Sequence, residues 1–162
     1  MIKNISNLGD AALYCDFGNQ INKEINSSVI RYYKSLKELK IDGVNNLTPS
    51  YNKLIISYDL KKTNFLKIKK KVEEITINQK ENLSSKKIKI PVWCNENFSL
   101  DINRLEKKLN LNKEEILDNF FNKEYFCYMT GFIAGMPFLG DLEKSMRVKR
   151  LETPRVKVPK WS

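Results

Sequence analysis

Hydrophobic and polar positions alternate with two periods along the first half of the chain. Leu13, Cys15 and Phe17 alternate with Ala12, Tyr14 and Asp16, the period of a half-buried strand, and Gly18 ends it. Ile2 to Leu8 reads as its partner strand, with Gly9-Asp10 as a two-residue turn between them. Ile21, Ile25, Val29, Tyr32, Leu36 and Leu39 then recur at helical spacing up to Gly43. Asn22 is placed to cap that helix, and Glu24 stands in its first turn, where an acidic side chain opposes the helix dipole. Val44 to Thr48 reads as a short strand and Pro49-Ser50 as a turn. Leu54, Ile56 and Tyr58 follow, alternating with Lys53, Ile55 and Ser57. Thr63 is the expected cap of a second helix, with Phe65, Ile68, Val72 and Ile75 on one side. Two strands, a helix, two strands and a helix predict a small α+β sandwich with both helices on one face of an antiparallel sheet. The polar run Asn78 to Lys87 reads as a linker.

The second half is patterned less regularly. Ile88 to Trp93 is a candidate strand whose Pro91 suits a sheet edge. Ser99 is the expected cap of Leu100 to Leu109, with Ile102, Leu105 and Leu109 inward. Asn112 and Glu115 form a capping pair for a helix through Phe121. Tyr125 to Met129 are aromatic, apolar or thiol residues in a continuous run, which suggests a buried strand. Gly131, Gly135, Pro137 and Gly140 then interrupt regular structure, yet Phe132, Ile133, Met136, Phe138 and Leu139 between them are too apolar for an ordinary solvated loop. Such a turn either packs under a core or walls a pocket, and residue types alone leave both open.

Composition narrows the chemistry. A chain of 162 residues with 41% hydrophobic content has enough length for a real core and is globular rather than disordered. No apolar run reaches the length of a membrane span and the N-terminus lacks the pattern of a signal peptide, so a cytoplasmic protein is expected. Cys15, Cys94 and Cys127 are odd in number and widely spaced, which argues against a disulfide framework or a thiolate zinc site. Each sits among apolar neighbours and is expected to behave as a small buried hydrophobe. The chain has no histidine, which removes Ser-His-Asp and Cys-His catalysis; proton transfer is left to carboxylates, lysine, tyrosine or water. The net charge of +10 favours anionic partners, but only five of the 29 basic residues are arginine. Most of that charge reads as solvated surface rather than a nucleic-acid footprint. The exception is Lys144 to Lys160, where basic side chains outnumber Glu143 and Glu152.

An ordered series of short motifs resembles one family. Gly9-Asp10-Ala11-Ala12-Leu13, Asp16-Phe17-Gly18 and Pro49-Ser50-Tyr51 leading into Leu54 to Asp59 match its N-terminal part. Ile90-Pro91-Val92, Leu111 to Ile116, Tyr128 to Phe132, Gly135 to Gly140, Leu151 to Arg155 and Val158-Pro159 match the rest. Together these resemble the PxpB/KipI family, also called the allophanate hydrolase subunit 1 family.

The resemblance implies a ferredoxin-like domain over residues 1–80, a linker over 81–87 and a cyclophilin-like β-barrel domain over 88–162. It implies a subunit of a bacterial ATP-dependent 5-oxoprolinase, which converts 5-oxoproline to glutamate with a PxpC/KipA-like and a PxpA-like subunit. ATP would act at the level of that complex, and the substrate would be small and anionic. Other members are described as inhibitors of a sporulation histidine kinase, and related domains occur in urea-degrading enzymes. No P-loop is present, so ATP phosphates would be held another way or on a partner. No metal site or membrane role is implied, and no catalytic residue is assigned. Arg155 is the candidate anion contact, because guanidinium pairs bidentately with phosphate or carboxylate; the alternative is a surface ion pair with Glu152. Thr153 is a candidate hydroxyl donor or ordinary turn chemistry. Gly131, Phe132, Gly135, Pro137 and Gly140 are candidates for the pocket wall, with core packing the leading alternative for Phe132. The family's turn reads Gly-Phe-x-Pro-Gly-Phe-x-Tyr-Leu, whereas Ala134, Met136 and Phe138 stand here at the Pro, second Phe and Tyr positions. Members continue past Val158-Pro159 into a glycine-rich segment and further barrel strands, while this sequence stops at Trp161-Ser162. The barrel is therefore expected to be incomplete, with an open edge.

Overall fold

A computed structural model describes residues 1–77, 83–95 and 98–158. In chain order these form β1 (Asn4–Asn7), β2 (Ala12–Asp16), α1 (Lys23–Leu39), β3 (Val44–Pro49), β4 (Lys53–Tyr58) and α2 (Phe65–Glu74). There follow α3 (Ile102–Leu109), α4 (Lys113–Phe121), β5 (Phe126–Thr130), β6 (Pro137–Gly140) and a single 3-10 turn at Lys144–Met146. The fold is α+β, and no closed barrel occurs among the described residues. The chain divides into two compact units, one of Met1–Ser85 with Cys127–Leu139, the other of Lys86–Phe126 with the chain from Gly140 onward.

In the first unit, β1–β4 form an antiparallel sheet in the order β1-β2-β4-β3. Leu13 stands opposite Ile56 and Cys15 opposite Leu54, so period-2 alternation puts all four on one face, where each is fully buried. That face is covered by Val29 and Leu36 of α1 and by Ile68 and Val72 of α2, and the ten-residue core cluster lies between helices and sheet. The helix-strand order and the single covered face follow the hydrophobic pattern. Asn22 caps α1, its side chain accepting from the Ile25 amide at 2.8 Å. α2 is capped not by Thr63 but by Asn64, whose side chain accepts from the Lys67 amide at 3.0 Å. Thr63 is instead buried against Gly43. Gly43 has φ +82°, and a Cβ there would lie 2.8 Å from Thr63 Cγ2, so this crossing of two loops admits only glycine.

In the second unit, α3 and α4 form a helical hairpin. The expected capping pair is present: Asn112 accepts from the Glu115 amide at 2.9 Å, and the Glu115 carboxylate accepts from the Asn112 amide at 2.8 Å. α3 begins at Ile102 rather than Leu100, and its capping position is held by Asp101, not Ser99. Ile88 to Trp93 forms no strand; Ile88 is 76% exposed, and Ile90, Val92 and Trp93 are exposed too. Alternation gives a segment a face but not a neighbouring ladder, and Pro91 removes one of the donors that a ladder would use. The expected linker falls partly outside the described residues, as do Pro159, Lys160, Trp161 and Ser162; residues 83–87 carry no regular structure.

Candidate functional site

The apolar, glycine-rich stretch is a β-hairpin. β5 pairs with β6, and the turn between them is closed by the Gly131 amide donating to the Met136 carbonyl at 3.1 Å. The Ile133 amide donates back to Gly131 at 2.8 Å, and the Met136 amide donates to Ile133 at 3.2 Å. Gly135 sits at φ +80°, where glycine is at ease, but Phe132 adopts φ +67°, which a bulky side chain rarely does. Phe132 is also 90% exposed and Ile133 62% exposed, so core packing does not describe the turn. β5 is half-buried rather than buried: Tyr128 points inward while Cys127 is exposed, against the expectation of a buried thiol there. Gly131, Phe132, Gly135, Pro137 and Gly140 are thus gathered in one hairpin.

The base of the hairpin is anchored within the first unit by a side chain that the hydrophobic pattern does not single out. Asn26 of α1 is 2% exposed, and its amide nitrogen donates to the carbonyls of Ser50, Tyr51 and Tyr128 at 3.1, 3.0 and 3.0 Å. Ser50 Oγ donates to Met129 Sδ at 3.2 Å. The Tyr51 ring lies 5.7 Å from Tyr128 and 6.1 Å from Phe138, the latter edge-on. The Pro49-Ser50-Tyr51 turn and the Tyr128–Met129 strand, two of the sequence motifs, therefore meet around one buried amide. A polar residue beside Ile25 and Val29, on the apolar side of a helix, is the signal that could have found it.

A second motif is fixed by charge. The Asp16 carboxylate accepts from the Gly18 amide at 2.6 Å and from Lys53 Nζ, while Lys53 also donates to the Gly18 carbonyl at 2.8 Å. The hydrogen bond from Lys53 holds the Asp16 carboxyl below its ordinary range, with the Gly18 amide adding to the effect. Cys15 next to it is a fully buried thiol, and burial pushes it up to about 12, so it stays protonated and is no nucleophile at neutral pH.

Thr153 and Arg155 belong to the second unit. Thr153 is exposed. Arg155 does not pair with Glu152; its Nη1 and Nη2 donate bidentately to Asp101 Oδ2 and Oδ1 at 2.7 and 2.9 Å. Arg104 Nε donates to the same Oδ1 at 3.1 Å, and its Nη1 donates to the Lys149 carbonyl at 3.2 Å. The hydrogen bond from Arg155, with a further one from Arg104, holds the Asp101 carboxyl at about 2 against an ordinary 3.8. Because Asp101 and Asp16 are both depressed in the folded chain, their contribution is present above the unfolded carboxylate range and is lost as pH falls, for Asp101 through about 2. Thermal melting should therefore drop between about pH 5 and about pH 2.5, and Asp101→Asn should flatten that acid limb. An unchanged limb in the variant would mean that Asp101 is not linked to folding. Among the described residues no cluster of three or more Cys, Asp or Glu is placed to hold a metal, and no helix is long and apolar enough to cross a membrane.

Comparison with known proteins gives a consistent answer. The family model for the carboxyltransferase domain, subdomain C and D, matches residues 3–162. A protein of Bacillus subtilis (strain 168), named as the B-type subunit of 5-oxoprolinase, is 30% identical over 170 residues, which cover 98% of this chain and 71% of the relative. Its namesake in Haemophilus influenzae is 28% identical over 74% of this chain and 53% of its own length. Among solved structures, TTHA0988 superposes with a TM-score of 0.78 over 91% of this chain at 23% identity, which speaks to the fold. This chain spans 29% of the length of that structure.

Proposed function

This chain belongs to the PxpB/KipI family, matched as carboxyltransferase domain subdomains C and D, and from that premise we propose that it is the B-type subunit of a 5-oxoprolinase. The observation that carries the proposal is 30% identity across 98% of the chain to a protein named as that subunit. In this reading the chain acts with a PxpC/KipA-like and a PxpA-like subunit to open the ring of 5-oxoproline to glutamate at the expense of ATP. The first unit would be the ferredoxin-like domain, a reading supported by its β1-β2-β4-β3 sheet with two helices on one face. The β5–β6 hairpin would belong to a cyclophilin-like barrel. With no histidine and with Cys15 protonated, the chain would contribute binding and charge stabilisation rather than a nucleophile. ATP would sit on the partner or across the complex, since no P-loop is present here. Arg155 would meet the substrate carboxylate or a phosphate, and Thr153 would offer a hydroxyl nearby in sequence; separately, the hairpin from Gly131 to Gly140 would present its apolar tip for binding.

The test is co-purification of the tagged chain with its PxpC-like partner, followed by a 5-oxoproline-dependent ATPase assay with PxpA added. A stable complex with turnover is expected, and Arg155→Ala should lower that turnover at least about tenfold, by loss of a charge-assisted bidentate contact. A complex without turnover, or a chain that stays alone, would replace the enzyme reading with that of a KipI-like regulator. Full activity in Arg155→Ala would remove Arg155 from the site.

A further inference from the structure

Two features of Asp101 set it apart from its surroundings. It occupies the capping position of α3, yet its side chain makes no capping hydrogen bond and is turned wholly to two guanidiniums. Two arginines share this one carboxylate, so the cluster retains one net positive charge instead of cancelling. The geometry of Arg155 shows where that charge is available. Asp101 is gripped end-on, by Nη1 and Nη2. A guanidinium carries five donors in one rigid plane, and end-on pairing leaves the side edge, formed by Nε–H and the second Nη2–H, free for another pair of oxygens. Among the described residues, Asp101 supplies the only acceptors that Arg155 engages. Arg104 is differently placed: its Nε and Nη1 are both committed, to Asp101 and to the Lys149 carbonyl.

We propose that the Nε/Nη2 edge of Arg155 is an oxyanion-binding site for a planar carboxylate or a phosphate, with Asp101 as the positioning residue that fixes the plane of the guanidinium and Arg104 as the residue that keeps the cluster cationic. Asp101 holds the fork from one edge so that the anion meets an oriented donor pair rather than a freely rotating side chain. That reduces the ordering cost of binding. Arg104 offsets the charge of Asp101, which would otherwise oppose the incoming anion. The site deepens the role given to Arg155 in the proposed 5-oxoprolinase subunit and rests on that reading only for the identity of the carboxylate.

Titration of the full chain with L-5-oxoproline and, separately, with inorganic phosphate would be followed through the arginine Nε–Hε signals in nitrogen-15 NMR. The Arg155 signal, identified by its disappearance in Arg155→Lys, should shift saturably, and the binding should be lost in that variant. Asp101→Glu, with the fold verified by circular dichroism, keeps the charge but displaces the fork and should weaken binding about tenfold. A shift with phosphate alone would support the oxyanion site while overturning 5-oxoproline as its ligand. An Arg155 signal indifferent to both anions in a folded chain would overturn the site, and unchanged affinity in Asp101→Glu would overturn the positioning role.

Discussion

Asn26→Leu is expected to destabilise the chain by about 3 kcal/mol, although leucine fills the space and suits a helix. The buried amide nitrogen of Asn26 has two hydrogens shared among three carbonyls, that of Tyr128 in a buried contact and those of Ser50 and Tyr51 in part-buried ones. Removing the donor leaves these acceptors without it; the buried one, Tyr128, costs about 1–3 kcal/mol and the part-buried ones less. The three carbonyls come from a turn of the main sheet and from β5, so the loss also loosens the hairpin that carries Gly131 to Gly140. Urea unfolding gives the stability difference, and hydrogen exchange gives its location: amides of β5 and β6 should lose protection more than those of β2 and β4. A change under about 0.5 kcal/mol would mean that the three carbonyls find other donors.

Ile56→Ala should cost about 4 kcal/mol, toward the upper end for truncation of a fully buried aliphatic side chain. Ile56 stands at the middle of the sheet: it pairs with Leu13 on one side and Leu47 on the other, and α1 and α2 close over that face. The strand neighbours Leu13 and Leu47 cannot move into the cavity without leaving the sheet register. Against a total stability of about 5–15 kcal/mol for a domain, such a loss brings the first unit close to unfolding. The adjacent Ile55→Ala is the control, since Ile55 points to the opposite, half-buried face opposite Tyr14 and Thr48 and should cost only about 1 kcal/mol. Equal losses for the two would contradict the assignment of faces.

The first unit was legible because its information is periodic. Leu13 and Cys15 with period 2, Val29 and Leu36 with helical spacing, and Asn22 at a helix start each state a local preference that the tertiary fold also satisfies. Legibility failed where a residue's role depends on a distant neighbour. Thr63 and Asn64 are both good caps, and the choice fell to Asn64 because Thr63 packs on Gly43. Ile88 to Val92 alternates like a strand, but alternation cannot say whether a partner ladder exists. In the candidate site, a strand and the turn after it could be read from Tyr125 to Met129 and from Gly131 and Gly135, whereas the returning strand β6 and the outward aim of Phe132 could not. Asn26 was hidden because one polar residue on an apolar helix face says little until three carbonyls converge on it. Arg155 was singled out by residue type, but its partner lies 54 positions away in Asp101, beyond the reach of any local pattern.

The placement of the three thiols gives the chain an internal clock for opening. Cys127 is exposed and Cys94 partly so, whereas Cys15 lies in the centre of the sheet with no solvent contact. A thiol-specific reagent in native buffer should therefore label the chain in stages, with the last stage waiting for the helices to lift from the sheet. The rate of that last stage, followed by mass spectrometry against reagent concentration, reports how often the first unit opens without any denaturant being added.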